Sequence, residues 1–291
     1  MNTSMSHILV PVDYSEKAIF GLEMANILLK RYGGKVTVIN VLKGVDPIWS
    51  EFFTEDERSR LVQKLEKHLA IFSKKYLTAE NIQIDCVIGK GRLCDTILQT
   101  VEDRQVTSIV MGTSTVDNIK KWIIGTNALR VVTEATCPVI TIKDHPGENQ
   151  IERIILPLDL SKETKEKTVD AVALALKFNA EINVVSAQTF SDESIHKRLE
   201  NQLAQVLSFI QNHNVPCSGE ILKVNDRVDG VIDFIENKNG DLIVITTHQQ
   251  LELVHSYMGS FAKGIIRSAK IPVMSIVPKI KHHVVFKMPA T

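Results

Sequence analysis

Two glycines, the second followed by a hydroxyl residue, mark the part of the chain best suited to bind phosphate. Gly112 ends the apolar run Ser-Ile-Val-Met-Gly, and Thr115 is separated by nine residues from the pair Gly125-Thr126. A glycine lets backbone N–H groups approach phosphate oxygens with no Cβ in the way. A Gly-Thr pair that opens a helix adds a hydroxyl group and the positive end of the helix dipole. This pattern indicates an anion-binding loop.

A carboxylate stands at the end of the first apolar run. Asp13 follows Ile-Leu-Val-Pro-Val, and Ser15 is a good N-cap for a helix. In a doubly wound sheet, ligands bind beyond the carboxyl ends of the strands, at the point where the strand order reverses. Asp13 and Gly112 are therefore the first candidates for a ligand crevice.

The same pattern occurs twice. Ile154-Ile-Leu-Pro-Leu-Asp159 repeats the first apolar run at an offset of 146 residues, and the later motifs repeat at an offset of 134. In the second copy, Thr246 and Gln249 take the places of Gly112 and Thr115, whereas Gly259-Ser260 matches the later Gly-Thr pair. A repeat of this length indicates a duplicated domain. We predict domains at residues 1–147 and 148–280, followed by a tail at 281–291.

Short apolar runs alternate with segments of helical periodicity in both copies. This alternation predicts an α/β protein of two tandem doubly wound, Rossmann-like domains, each a five-stranded parallel sheet with helices on both faces. Because open edge strands invite pairing, we expect the two fifth strands, Val139 to Ile142 and Val273 to Val277, to pair about a pseudo-two-fold axis. The expected assembly is an internal pseudo-dimer, and a homodimer is left open.

Charge and hydropathy exclude several kinds of partner. Lys and Arg number 34 and so do Asp and Glu, so no net field favours nucleic acid or an anionic membrane. No apolar run is long enough to cross a bilayer, and no secretory leader is visible. The four cysteines form no CxxC pair, which is typical of free thiols in a reducing compartment. We expect a cytoplasmic protein that binds neither nucleic acid nor membranes.

Histidines and lysines in the loops are weaker candidates. His248 and His255 share one loop and His282-His283 lies in the tail, but none belongs to a cluster with metal-ligand spacing. We therefore predict no metal site. Lys120-Lys121-Trp122 is interpreted as a solvated loop with one anchoring aromatic residue, and contact with phosphate or a partner is the alternative.

The motifs together resemble those of the universal stress protein family in its tandem, two-domain form. The likeness rests on the strand ending Val-Pro-Val-Asp-Tyr-Ser, the strand Ile-Val-Met-Gly, and Gly125-Thr126 followed by a helix and Cys137-Pro-Val. It covers nearly the whole chain, twice. Nucleotide-binding members carry a loop G-x2-G-x9-G-[ST], and the first copy matches its spacing with Thr115 at the second glycine. The resemblance implies a stress-response protein that binds ATP or another adenine nucleotide in domain 1, as a sensor or regulator.

The resemblance also implies roles for individual residues. Asp13 would accept a hydrogen bond from the adenine or ribose region, and the main chain near Val41 would border the nucleoside. The phosphate would be held by Gly112, Gly125 and Thr126. Completing the implied site are Pro11, Met111, Thr115 and Asn127. A degenerate second site would consist of Asp159, Thr246, Gly259 and Ser260.

A purely structural interpretation accounts for the same residues. Asp13 then only ends a strand, Gly112 turns a loop, and Gly125-Thr126 caps a helix. Two other functions remain open. One is a nucleotide-free interaction module with unknown protein partners. The other is a carrier of an apolar or metal ligand, which would use the cleft between the two copies or the segment with Trp49, Phe52 and Phe53. The sequence shows no nucleophile elbow, P-loop lysine or pair of catalytic carboxylates, so we do not expect an enzyme, and slow ATP hydrolysis is left open.

Overall fold

The computed structural model describes residues 5–42, 51–113, 125–147, 150–159, 164–189, 192–247 and 258–277. The side chains of 164–166 are outside this description. The described ranges contain these strands: β1 (His7–Pro11), β2 (Gly34–Leu42), β3 (Ile82–Lys90), β4 (Ser108–Gly112), β5 (Val139–Ile142), β6 (Arg153–Pro157), β7 (Glu181–Gln188), β8 (Cys217–Lys223), β9 (Leu242–Thr246) and β10 (Val273–Ile276). They contain these helices: α1 (Glu16–Tyr32), α2 (Glu55–Ser73), α3 (Leu93–Asp103), α4 (Thr126–Glu134), α5 (Thr164–Phe178), α6 (Glu193–Gln211), α7 (Arg227–Lys238) and α8 (Ser260–Ser268).

All ten strands form one sheet, in the order β3-β2-β1-β4-β5-β10-β9-β6-β7-β8. Within each half the neighbouring strands are parallel, so the predicted α/β fold is confirmed. The strand order reverses between β1 and β4 in the first half and between β6 and β9 in the second. Those two points are where a doubly wound sheet opens a crevice.

Local sequence signals set the ends of the first helices. Ser15 caps α1, because its Oγ accepts a hydrogen bond from the Ala18 amide at 3.2 Å. The helix ends at Gly33, which has a positive φ of 65° and whose N–H bonds the Leu29 carbonyl. Helix α2 opens with a capping box, in which the side chains of Thr54 and Glu57 each accept a hydrogen bond from the other's backbone N–H.

The two fifth strands join the halves. β5 and β10 pair antiparallel, with Ile140 opposite Met274, as expected for the edge strands of two copies. The two five-stranded sheets are therefore continuous across this junction. Farther out, the Tyr32 ring on α1 lies 6.3 Å from the Phe178 ring on α5, so the first helices of the two halves also touch.

Each face of the sheet carries one apolar core that spans both halves. Leu22 on α1, Leu69 on α2 and Ile210 on α6 pack on one face, together with α5. On the other face, Ile97 of α3 and Ile265 of α8 pack with α4 and α7. Helices on both faces shield the sheet, which leaves the carboxyl ends of the strands as the place for a ligand.

Helix α3 begins at Leu93, with Arg92 as its N-cap. In the part of the chain that the structure describes, no helix combines the length and apolar character needed to cross a membrane. The predictions on the following residues lie outside the described ranges: Trp49, Thr115, Lys120, Lys121, Trp122, His248, Gln249, His255, His282 and His283.

Candidate functional site

A crevice of about 180 Å³ opens at the carboxyl ends of β1 and β4. Helix α4 begins at its edge. Seven residues of the implied site line it together, which are Pro11, Asp13, Val41, Met111, Gly112, Gly125 and Asn127. Thr126 is the first residue of α4, beside this lining.

Asp13 is held in place at the exposed end of β1. Its Oδ1 accepts hydrogen bonds from the Ser15 amide at 3.1 Å and from the Ser15 hydroxyl at 2.5 Å. The Ser15 hydroxyl accepts from α1 in turn, so the carboxylate is fixed relative to the helix. A carboxylate held this way at the rim of a crevice is suited to accept a hydrogen bond from a ligand.

Gly112 is required by the packing of α1 against β4. A Cβ at this position would lie 1.8 Å from the backbone oxygen of Lys17, and a Cβ on Gly21 would lie 3.1 Å from the Gly112 nitrogen. Backbone atoms cannot move aside as a flexible side chain can. Gly112 therefore sets the close approach of helix and strand at the point where the strand order reverses, whether or not it also contacts a ligand.

Helix α4 begins with a glycine as its N-cap. Gly125 has no side chain with which to cap the helix. Asn127 in the first turn lines the crevice, and its Oδ1 lies 3.5 Å from the Cys94 sulfur, which donates to it. N–H groups of a first helical turn, together with the positive end of the helix dipole, favour an anion.

The site predicted from the sequence did not include a lysine and several apolar residues that line the crevice. Lys17 lines the crevice, and its Nζ donates to the Lys143 carbonyl at 2.8 Å and lies 4.9 Å from the Phe20 ring centroid. Lys17 could have been predicted to lie near the crevice, because it follows Asp13 by four residues and falls in the first turn of the predicted helix. The other omitted lining residues are Val12, Ser15, Ala18, Ile39, Asn40, Leu93, Ile97, Thr113 and Ala128.

The matching crevice in the second half is much smaller, about 20 Å³. Asp159, Thr246 and Gly259 line it, as implied for the degenerate site, and Ser260 begins α8 next to them. Lys167, Arg227 and Phe261 also line it and were not anticipated. The Arg227 guanidinium lies 5.2 Å from the Phe261 ring centroid.

The repeat explains the difference in size. At the offsets of 146 and 134 residues, four positions carry larger side chains in the second copy, namely Lys167 for Gly21, Arg227 for Leu93, Thr246 for Gly112 and Phe261 for Asn127. Lys167, Arg227 and Phe261 lie on helices beside the crevice, and Thr246 lies at the end of β9. These larger side chains account for the smaller volume of the second crevice.

Among the residues that the structure describes, no group of three or more His, Cys, Asp or Glu is arranged to hold a metal ion. None of the four cysteines forms a disulfide. Burial raises the pKa of the Cys86 thiol to about 11 and that of Cys137 to about 12, so neither is a thiolate at neutral pH.

Comparison with known proteins agrees with this architecture. The family model described as "Universal stress protein family" matches residues 5–143 and again residues 150–276. The universal stress protein MJ0531 of Methanocaldococcus jannaschii is 29% identical over 144 residues, which are 45% of this chain and 84% of that protein. A universal stress protein of Thermus aquaticus is 27% identical over 136 residues, 47% of this chain and 97% of that protein.

A solved structure extends the likeness over the whole fold. The crystal structure of a universal stress protein from Archaeoglobus fulgidus superposes with a TM-score of 0.74 at 17% identity, and covers 94% of this chain and 98% of that one. Its likeness concerns the fold alone, whereas the family model matches the sequence of both halves. This chain belongs to the universal stress protein family and carries its domain twice.

Proposed function

We propose that the protein binds an adenine nucleotide, ATP or one of its hydrolysis products, in the crevice of domain 1. Occupancy of that crevice makes it a sensor or regulator in a cytoplasmic stress response. The observation that carries the proposal is the contrast between two crevices in one sheet, about 180 Å³ in the first half and about 20 Å³ in the second. The larger crevice of the first half is therefore the candidate site.

The chemistry of the open crevice suits a nucleoside phosphate. Val41, Leu93 and Met111 form apolar walls on which a purine ring can lie, and Asp13 supplies an acceptor at the rim. The first turn of α4 supplies N–H donors for phosphate, and Lys17 adds a positive charge. One crevice thus offers a surface for each part of the ligand.

We propose binding rather than turnover. A carboxylate fixed by Ser15 and a lysine hydrogen-bonded to a backbone carbonyl fit recognition of a ligand, and their hydrogen bonds hold them in one geometry. The competing function is a nucleotide-free interaction module. The filled crevice of the second half favours that function for domain 2 alone.

Mass spectrometry of the gently purified full chain tests the proposal. We expect AMP, ADP or ATP to remain bound, at no more than one molecule per chain. An empty protein that also fails to take up added nucleotide would contradict the proposal and would favour the interaction module. Two nucleotides per chain would contradict the assignment to domain 1.

A further inference from the structure

An apolar stripe lies exposed on α5 of domain 2. Val169 and Leu176 are 37% and 55% exposed, and the partly buried Ala173 lies between them. Residues four and seven positions apart share one face of a helix, so these side chains form a single stripe along α5. Apolar side chains that line up in this way favour contact with another apolar segment.

The equivalent face of α1 in domain 1 is more polar. At the offset of 146 residues, the stripe corresponds to Glu23, Ile27 and Lys30. Ile27 and the linker residue Pro146 line one cavity of about 280 Å³. Domain 1 therefore has charged residues at the two ends of this face, and the linker lies beside its middle.

The linker that follows β5 runs along α1. His145 Nε2 lies 3.3 Å from Glu23 Oε2, and the ring centroids of His145 and Phe20 are 5.9 Å apart. Farther along the helix, Arg31 donates a hydrogen bond to the Gln150 side chain. The chain that leaves the last strand of domain 1 thus covers the helix face that corresponds to the stripe.

A local two-fold axis relates this part of domain 1 to domain 2. β5 and β10 pair antiparallel, with Ile140 opposite its own equivalent in the repeat, Met274. The rings of Tyr32 and Phe178, which are also equivalent, lie 6.3 Å apart across the same junction. Contacts between equivalent residues are what such an axis requires. Because the chain leaving β5 runs along α1, the axis directs the chain leaving β10 along α5.

The chain beyond β10 has apolar residues that suit the stripe. Residues 278–291, here called the C-terminal segment, lie outside the described ranges. The larger apolar residues of this segment are Ile280, Val284, Val285, Phe286 and Met288. The stripe is roughly 10 Å long at about 1.5 Å per helical residue, a distance that a few extended residues span. A tethered segment has an effective concentration on the order of millimolar, which favours it over a second copy of the chain.

We propose that the C-terminal segment docks on the α5 stripe of its own chain, as the linker covers α1. At the offset of 134 residues, Ile280 takes the place of Pro146, which lines a cavity with Ile27. Ala173 is the equivalent of Ile27, so Ile280 falls beside the middle of the stripe. This surface lies on the face of the sheet that carries α1, α2 and α6. The proposal does not depend on nucleotide binding.

Photo-cross-linking in the full chain tests the proposal. The photoreactive residue p-benzoylphenylalanine, incorporated at Leu176, keeps the stripe apolar and bonds covalently to a C–H group in contact with it. We expect mass spectrometry to find the cross-link in the C-terminal segment of the same chain. Ile71, which is 65% exposed on α2 of domain 1, is the matched control position and should give no such product.

Limited trypsin digestion measures how often the segment is released. Trypsin cleaves after lysine, and the lysines of the segment are Lys279, Lys281 and Lys287. Val169→Glu combined with Leu176→Glu should speed these cleavages by at least about fivefold, because cleavage follows the population of the open form and apolar contacts are lost. Ile71→Glu adds a charge at another exposed apolar residue and should leave the rate unchanged. Circular dichroism checks the fold of every variant.

Any of four outcomes would overturn the proposal. A cross-link from Leu176 only to other parts of the chain, or none at all, would show that the segment lies elsewhere. A covalent dimer would identify a second copy as the occupant of the stripe. An equally strong cross-link from Ile71 would show contact without preference. Equal trypsin rates for wild type and the folded double variant would show that the stripe does not hold the segment.

Discussion

Lys143 Nζ lies 3.2 Å from the carbonyl oxygen of Ala269, and so connects the end of β5 in domain 1 to the C-terminus of α8 in domain 2. The same ammonium group donates to the Arg267 carbonyl. Lys143 is 5% exposed, and burial lowers the pKa of its side chain to about 8. A lysine that bonds helix-terminal carbonyls compensates the negative end of the dipole but gives up its hydration.

This buried lysine predicts a rise in stability at alkaline pH. In the unfolded chain Lys143 keeps a pKa near 10.5, so between about pH 8 and 10.5 the unfolded state binds more protons than the folded state does. The free energy of unfolding should therefore gain up to about 3 kcal/mol from this residue across that window, and lose it again as the pH falls through 8. Urea unfolding at about pH 7.5 and pH 10 measures the gain.

Lys143→Met is the reference for that measurement, because other groups also titrate at alkaline pH. The difference in unfolding free energy between wild type and Lys143→Met should grow in favour of wild type as the pH rises. Parallel pH profiles for the two proteins would show that the lysine is not desolvated as described.

Gly112→Ala should destabilise domain 1 strongly. The new Cβ would lie 1.8 Å from the backbone oxygen of Lys17, which can move only with the whole of α1. We expect a loss of about 3 kcal/mol in denaturant unfolding. Gly219→Ala is the matched control, since its Cβ would meet the Cδ1 atom of Leu203 at 2.6 Å, and a side-chain end can rotate away. Equal losses for the two variants would contradict the account of Gly112.

Thr115→Gly should tighten ATP binding. The resemblance to nucleotide-binding members places a glycine at this position. If the binding loop requires a positive φ there, a β-branched residue opposes it. A glycine would then gain about 1 kcal/mol, or roughly fivefold in affinity. Gly125→Val should act in the opposite direction, because it places a branched side chain where phosphate is expected. If Thr115→Gly weakens ATP binding, Thr115 is itself a ligand.

Restoring nucleotide binding in domain 2 requires more substitutions than those in its loop. The sequence alone suggests that Thr246→Gly and Gln249→Gly are both needed. The structure adds Lys167, Arg227 and Phe261, which line the small crevice. We therefore expect the double variant to bind no ATP in calorimetry unless Arg227→Leu and Phe261→Asn accompany it. ATP binding to the double variant alone, with domain 1 blocked by Asn127→Phe, would contradict this view.

Much of the fold was predictable because its signals are local. Ser15 is the N-cap of α1, as expected from the sequence. Gly33 and the capping box of Thr54 and Glu57 likewise act on their own neighbours. The open crevice was predictable in part. Strand ends and helix starts are fixed by sequence pattern, and a doubly wound sheet brings Asp13, Gly112 and Gly125 to one edge.

The remaining features depend on distances between elements that are remote in sequence. The need for Gly112 follows from how closely α1 approaches β4, and the burial of Lys143 follows from the junction of β5 with β10. The small size of the second crevice could be predicted in part from the sequence. Aligning the copies sets Lys167 against Gly21 and Arg227 against Leu93, but only packing shows that these side chains meet in one crevice.

Titration calorimetry with ATP on wild type and Asn127→Phe tests the central claim most directly. The variant places in domain 1 the ring that Phe261 contributes to the crevice of domain 2, and Asn201→Phe on the exposed side of α6 controls for an added ring. We predict one ATP per chain for wild type and for Asn201→Phe, and none for Asn127→Phe. Unchanged ATP binding in a folded Asn127→Phe protein would contradict the assignment of the nucleotide to domain 1.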